Sequence, residues 1–177
     1  EQTIANLNSN DITSIPVIRV LGNLTSGPQH WLDVLLTSEI ILLSISRICS
    51  TIDSGEKSVL KETMWSLANI LGGSELHRNA GLNAGFLQHA LNFLHTDKFD
   101  LQKEGVFALR NAIQNQQCLI SLISLNALHE ILIKLMKVHD GDMALACIQI
   151  LKAIAFANQN TKSSIIQAYL NCGMYEV

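Results

Sequence analysis

The chain repeats itself, and that constrains its fold more than any single residue does. SIPVIRVLGNLTSG from Ser14, SVLKETMWSLANILGG from Ser58 and DLQKEGVFALRNAIQN from Asp100 can be laid over one another. DMALACIQILKAIAFA from Asp142 fits the same frame less closely. Asn23, Asn69 and Asn111 mark the register at spacings of 46 and 42 residues. A second set of segments recurs between these: NAGFLQHALNFLH from Asn83 matches LNALHEILIKLMK from Leu125 with a shift of 42, and SEIILLSISRIC from Ser38 is the earlier counterpart. The long loop STIDSGEKS after it accounts for the four extra residues of the first spacing.

Two prolines and no strongly alternating segment make helix the dominant expectation. Shorter helices around Pro28–Leu36, Leu76–Ala80 and Gln117–Ile123 complete three per repeat. All-helical repeats of roughly 40–47 residues indicate armadillo or HEAT-type stacking, and the three-helix unit favours armadillo. The expected fold is all-α: a right-handed armadillo-repeat solenoid with three helices per repeat and a period of about 42. Residues 1–177 then form one solenoid fragment. It comprises a partial repeat over 1–26 (a third helix), repeats over 27–73, 74–115 and 116–157, and a partial repeat over 158–177. Pro16 falls in a first helical turn, which tolerates it. Asp100 and Asp142 stand where third helices need N-caps. Gly27, Gly72 and Gly73 stand where left-handed C-caps are expected.

Composition fits a piece of a longer stack. Only 15% of residues are charged, against roughly 25% in ordinary soluble domains, and mean hydropathy is +0.25. Terminal repeat faces that lack their neighbours explain part of this. The longest apolar stretch, around Ile40–Ile48, is far short of the ~18 residues a membrane helix needs, and no basic patch suits nucleic acid. Neither nucleic acid nor membrane is expected as a partner. Cys49, Cys118, Cys147 and Cys172 show no metal or redox spacing and read as buried free thiols. No cofactor and no metal is implied.

The residue that asks for explanation is Trp65. At about 100° per residue, Leu60, Met64, Leu67 and Leu71 share one sector, the expected buried stripe. Glu62, Trp65 and Asn69 form a column on the opposite side. In a single repeat, packing of Trp65 on a neighbouring helix would suffice as the reason. The column recurs, however, as Glu104, Phe107 and Asn111, with Pro16, Arg19 and Asn23 in the same places one repeat earlier. In the fourth repeat the places hold Ala146, Gln149 and Ala153, and the column lapses. Recurrence points to a binding ladder. Stacked helices lie about 8–10 Å apart and an extended peptide advances about 3.3 Å per residue. Successive asparagines therefore meet a bound backbone every second or third residue. Aromatic walls attract lysine or arginine heads, and Glu62 and Glu104 supply counter-charge. The ligand expected from the residues is an extended, Lys/Arg-rich segment.

At these residues the chain resembles the importin-alpha family, whose third helices carry W-x-x-x-N: Trp65–Asn69 in full, Phe107–Asn111 with phenylalanine substituted, and Arg19 in place of a tryptophan one repeat earlier. The phrases VIRVLGNLTSG, LKETMWSLANILGG and LQKEGVFALRN follow the order of that family's late repeats. The resemblance implies a nuclear-import adaptor fragment that carries the minor site for nuclear-localisation signals. Asn23, Trp65, Asn69 and Asn111 would carry the peptide, with Phe107, Glu62, Glu104 and Arg19 in support. It implies basic signal-bearing cargo proteins as partners, importin-beta and an export factor through the full-length chain, and residence in cytoplasm and nucleus. The substituted Phe107, with Gly105 and Arg110 beside it, marks a divergent member. The alternative is an armadillo scaffold of the same descent that binds a different protein. No phosphate-binding loop follows Gly72–Gly73 and no G-x-S-x-G is present. His77, His89 and His129 are expected as solvated helix positions, and no enzymatic activity is expected.

Overall fold

The computed structural model describes residues 6–123, 125–157 and 163. Among these it contains ten α-helices and no strand, preceded by a short 3-10 turn at Ile12–Ser14. The chain divides into two compact units, residues 1–111 and 112–177.

In the first unit the helices are α1 (Ile15–Thr25), α2 (Gln29–Leu35), α3 (Glu39–Cys49), α4 (Lys57–Gly72), α5 (Glu75–Asn83), α6 (Phe86–Leu94) and α7 (Phe99–Ala112, whose last residue crosses the boundary). A long third helix follows each short–medium pair. Helix α4 is the centre. The expected stripe of Leu60, Met64, Leu67 and Leu71 is fully buried, but so are Val59, Thr63, Ser66 and Ile70. That breadth reflects its neighbours: α4 packs against α1, α3 and α5. Each large apolar side chain so buried stabilises the fold by roughly 1.5–3 kcal/mol relative to exposure.

Local signals set the helix ends. The Glu56 carboxylate caps α4 by accepting from the amides of Ser58 (2.8 Å) and Val59 (3.1 Å), and a further hydrogen bond donated by the Ser58 hydroxyl is the main reason its pKa is lowered. Ser74 and His77 form a reciprocal capping box on α5. Pro16 sits in the first turn of α1, as expected. Several expected caps are different. Asp100 lies in the first turn of α7, where it pairs with Lys57 at 2.9 Å rather than capping. Gly72 is the last residue of α4, and Gly73 has φ −72°, so neither adopts the left-handed form. Gly85, between α5 and α6, is the only described residue with that backbone (φ 83°). Gly27 is not left-handed either; a methyl there would run into the Trp31 ring. Gly105 admits α7 close to α6: a methyl at this position would lie 3.0 Å from the Ala90 carbonyl and 3.1 Å from Phe93 Cβ.

Two histidines expected as solvated helix positions belong to the packing instead. His77 is buried; its Nε2 donates to Asp33 Oδ1 at 2.6 Å and its Nδ1 accepts from the Ser74 amide at 3.1 Å. His89 is half-buried and hydrogen-bonds Ser46 Oγ through Nε2 at 2.8 Å.

The second unit holds α8 (Gln116–Ile123), α9 (Asn126–Leu135) and α10 (Gly141–Ala157). Helix α10 packs on both partners through Met143, Ala146, Cys147, Ile150, Leu151 and Ile154. Its cap is Asp140, whose Oδ1 accepts from the Met143 amide at 2.9 Å; the expected cap, Asp142, lies inside the first turn. His129 is also buried, in this unit's core. Cys49, Cys118 and Cys147 are buried free thiols, and Cys172 lies outside the described residues.

Candidate functional site

The column residues all lie on the third helices of the first unit: Arg19 and Asn23 on α1, Glu62, Trp65 and Asn69 on α4, Glu104, Phe107 and Asn111 on α7. Trp65 is half-buried and leans on the neighbouring helix at Gly22. A methyl at Gly22 would overlap the Cε3–Cζ3 edge of the indole and sit 3.3 Å from Ser66 Oγ. Packing on a neighbour therefore accounts for one edge of the ring. Trp65 also helps line a cleft of about 230 Å³ with Lys61, Glu62 and Glu104.

Asn69 and Asn111 are half-buried joints between helices. Asn111 Nδ2 donates to the Ala68 carbonyl at 2.7 Å. Asn69 Nδ2 lies 3.4 Å from the Gly22 carbonyl and 3.3 Å from Thr25 Oγ1. Gly22 and Ala68 precede Asn23 and Asn69, so both bonds run to the same register position of the preceding third helix. An asparagine amide both donates and accepts; here much of the donor capacity joins helix to helix. Among the described residues, Oδ1 of Asn69 and of Asn111 takes no hydrogen bond, and Asn23 is exposed. Oδ1 of Asn69 and of Asn111 can accept an N–H from an incoming chain.

The two carboxylates expected as counter-charge, Glu62 and Glu104, differ in their surroundings. Glu62 is engaged by Arg19 from the preceding helix, with Nε at 3.2 Å and Nη2 closer still. Glu104 forms no direct ion pair among the described residues. Burial beside Trp65 pushes its carboxyl pKa up, more than Lys61 and Lys103 pull it down. The face of Phe107 is already attended by cations of its own helix, with Arg110 at 5.2 Å and Lys103 Nζ at 5.6 Å from the ring centroid. Lys61, Gly22 and Thr25 also shape the site but were not among the residues singled out from sequence. A small residue just before each of the first two asparagines was the available signal.

No protein-family model matches the chain. Solved structures resemble it closely in fold. A designed armadillo repeat protein in complex with the peptide (KR)4 aligns with a TM-score of 0.77 and 25% identity, covering 94% of this chain and 69% of that one. A second designed armadillo repeat protein aligns at 0.78 and 24%, with the same coverage. The fold is that of an armadillo-repeat protein. In sequence, Importin subunit alpha-2 of Oryza sativa subsp. japonica is 29% identical over 99 residues. That match takes in 55% of this chain and 19% of the relative, so the aligned part spans about a fifth of the relative's length.

Proposed function

We propose that this chain is the peptide-binding part of a nuclear-import adaptor. It takes an extended segment containing lysine or arginine, of the nuclear-localisation-signal type, along the face formed by α1, α4 and α7. The carrying observation is the pair Asn69 and Asn111, at one register on adjacent helices, each anchored through Nδ2 and open at Oδ1. Rigid anchoring lowers the ordering cost that binding imposes on the protein. The peptide's N–H groups meet Oδ1 of successive asparagines, Asn23 included. A basic side chain enters the cleft beside Trp65, where the indole offers a π-face and Glu104 a carboxylate that forms no direct ion pair among the described residues. Importin-beta and an export factor would act through the full-length chain, in cytoplasm and nucleus, and the chain does no chemistry. The weak similarity to an importin-alpha subunit and the fold shared with a (KR)4-bound designed protein support this reading. Arg110 and Lys103 at Phe107 favour the second reading, an armadillo scaffold for a different protein partner.

Fluorescence anisotropy with a labelled (KR)4 peptide, at low and moderate salt, tests the proposal. Saturable binding by the wild type, lost in the folded Trp65→Ala/Asn69→Ala double variant, is the expected result. Binding undiminished in that variant, or no binding by the folded wild type, sinks it.

A further inference from the structure

Phe107 divides helix α7 into two unlike edges. At about 100° per residue, Glu104 and Asn111 fall on one side of it and Lys103 and Arg110 on the other. The first edge faces α4, since Asn111 bonds Ala68 and Glu104 shares the Trp65 cleft. The second edge, turned away from α4, is basic, and both its cations lie within 6 Å of the Phe107 ring centroid. Arg110 immediately precedes Asn111. It thus holds the register position that Gly22 and Ala68 hold on α1 and α4, so a guanidinium replaces a small residue where the path continues.

A lysine or arginine laid against Phe107 would meet like charge, and the ring face it would use is already attended. Resting on the peptide-binding reading above, we propose that the ligand is a mixed-charge segment. One lysine or arginine enters the Trp65–Glu104 cleft, and one aspartate or glutamate meets Arg110 past Phe107. The cleft lies between α4 and α7, and the basic edge lies beyond α7. One helix spacing of about 8–10 Å, covered at about 3.3 Å per residue, places the two charges about three residues apart. Arg110 is then a specificity residue: its planar fork suits a carboxylate, and its repulsion makes a wholly basic segment bind, but more weakly than a mixed-charge one.

The test compares labelled peptides that share one arginine and carry glutamate or lysine three residues from it, on either side. Binding is read by anisotropy to the wild type, Arg110→Glu and Arg110→Lys, all checked for native circular dichroism. The wild type is expected to prefer one of the glutamate peptides at least about five-fold over its lysine counterpart. That contrast replaces repulsion with attraction at a half-exposed pair. Arg110→Glu should reverse the preference, and Arg110→Lys should keep its sign. Equal or tighter binding of the lysine peptides by the wild type, with no reversal in Arg110→Glu, overturns the mixed-charge inference while the peptide-binding reading stands. Failure of every peptide to bind the folded wild type overturns both.

Discussion

Replacing Gly22 by alanine sets two known effects against each other, and their balance tests where Trp65 sits. Gly22 is buried within α1, where alanine should favour the helix by about 1 kcal/mol. The added methyl, however, falls on the Cε3–Cζ3 edge of Trp65. Overpacking of this kind costs about 1–3 kcal/mol, somewhat less where a half-exposed ring can shift. The net expectation is a destabilisation of about 1 kcal/mol, or a fall in Tm of about 2–4 °C for a chain of this length. In a Trp65→Ala background the obstacle is gone and the helical gain remains, so the same substitution should stabilise by about 1 kcal/mol. The coupling of about 2 kcal/mol lies within the range for residues in contact. Urea denaturation followed by far-ultraviolet circular dichroism reads all four proteins without relying on the deleted indole. If Gly22→Ala stabilises both backgrounds equally, the indole does not rest on Gly22 and the cleft is wrongly drawn.

Asn111→Ala removes the 2.7 Å bond to the Ala68 carbonyl and should cost about 0.5–1.5 kcal/mol of stability in the same denaturation assay. Glu104 gives a pH signature. Its folded pKa is raised by burial, so between the ordinary glutamate value and that raised value the folded chain holds more protons than the unfolded one. Stability from this group is present below the unfolded pKa and is lost as pH rises through the folded pKa. Unfolding midpoints measured across that window should show this fall in the wild type, and Glu104→Gln should abolish it. Thiol reactivity provides a third check. Burial pushes Cys118 up to about 11 and Cys147 up to about 12, and raises Cys49 further. A Cys172→Ser variant at pH 8 should therefore react with a thiol reagent only after denaturant is added, and rapid native labelling would contradict the packing of these helices.

The helices were legible because apolar spacing and the recurrence of whole phrases both act within a short window. The stripe Leu60, Met64, Leu67 and Leu71 needs nothing but its own helix to be recognised. What was not legible depends on partners far along the chain. His77 looks like a solvated polar residue until Asp33, 44 residues earlier, is beside it; His89 needs Ser46 in the same way. Glu62 reads as an acid waiting for a ligand, yet Arg19 lies 43 residues away, one turn of the repeat. The glycine expectations failed for a related reason. Gly72 can be read as a helix terminator, but its demand is steric: a methyl there would press to 2.9 Å on the Asn111 amide nitrogen. Helix caps were misread by two residues at Asp142 because the bond runs from Met143 back to Asp140, a choice between two nearby aspartates that composition cannot make.

If Asn69 and Asn111 hold a bound segment as proposed above, their double duty has a mechanical consequence. A side chain that fixes the distance between two helices and also touches the ligand is both rivet and graduation mark. Sliding one helix along its neighbour by an ångström would strain the Nδ2–carbonyl bond at once, and the mark would move only when the rivet yields. The face therefore keeps a constant gauge: a segment with an inserted residue finds its next N–H out of step with the next Oδ1, and the protein cannot stretch to meet it. Length between contacts becomes something this stack can measure.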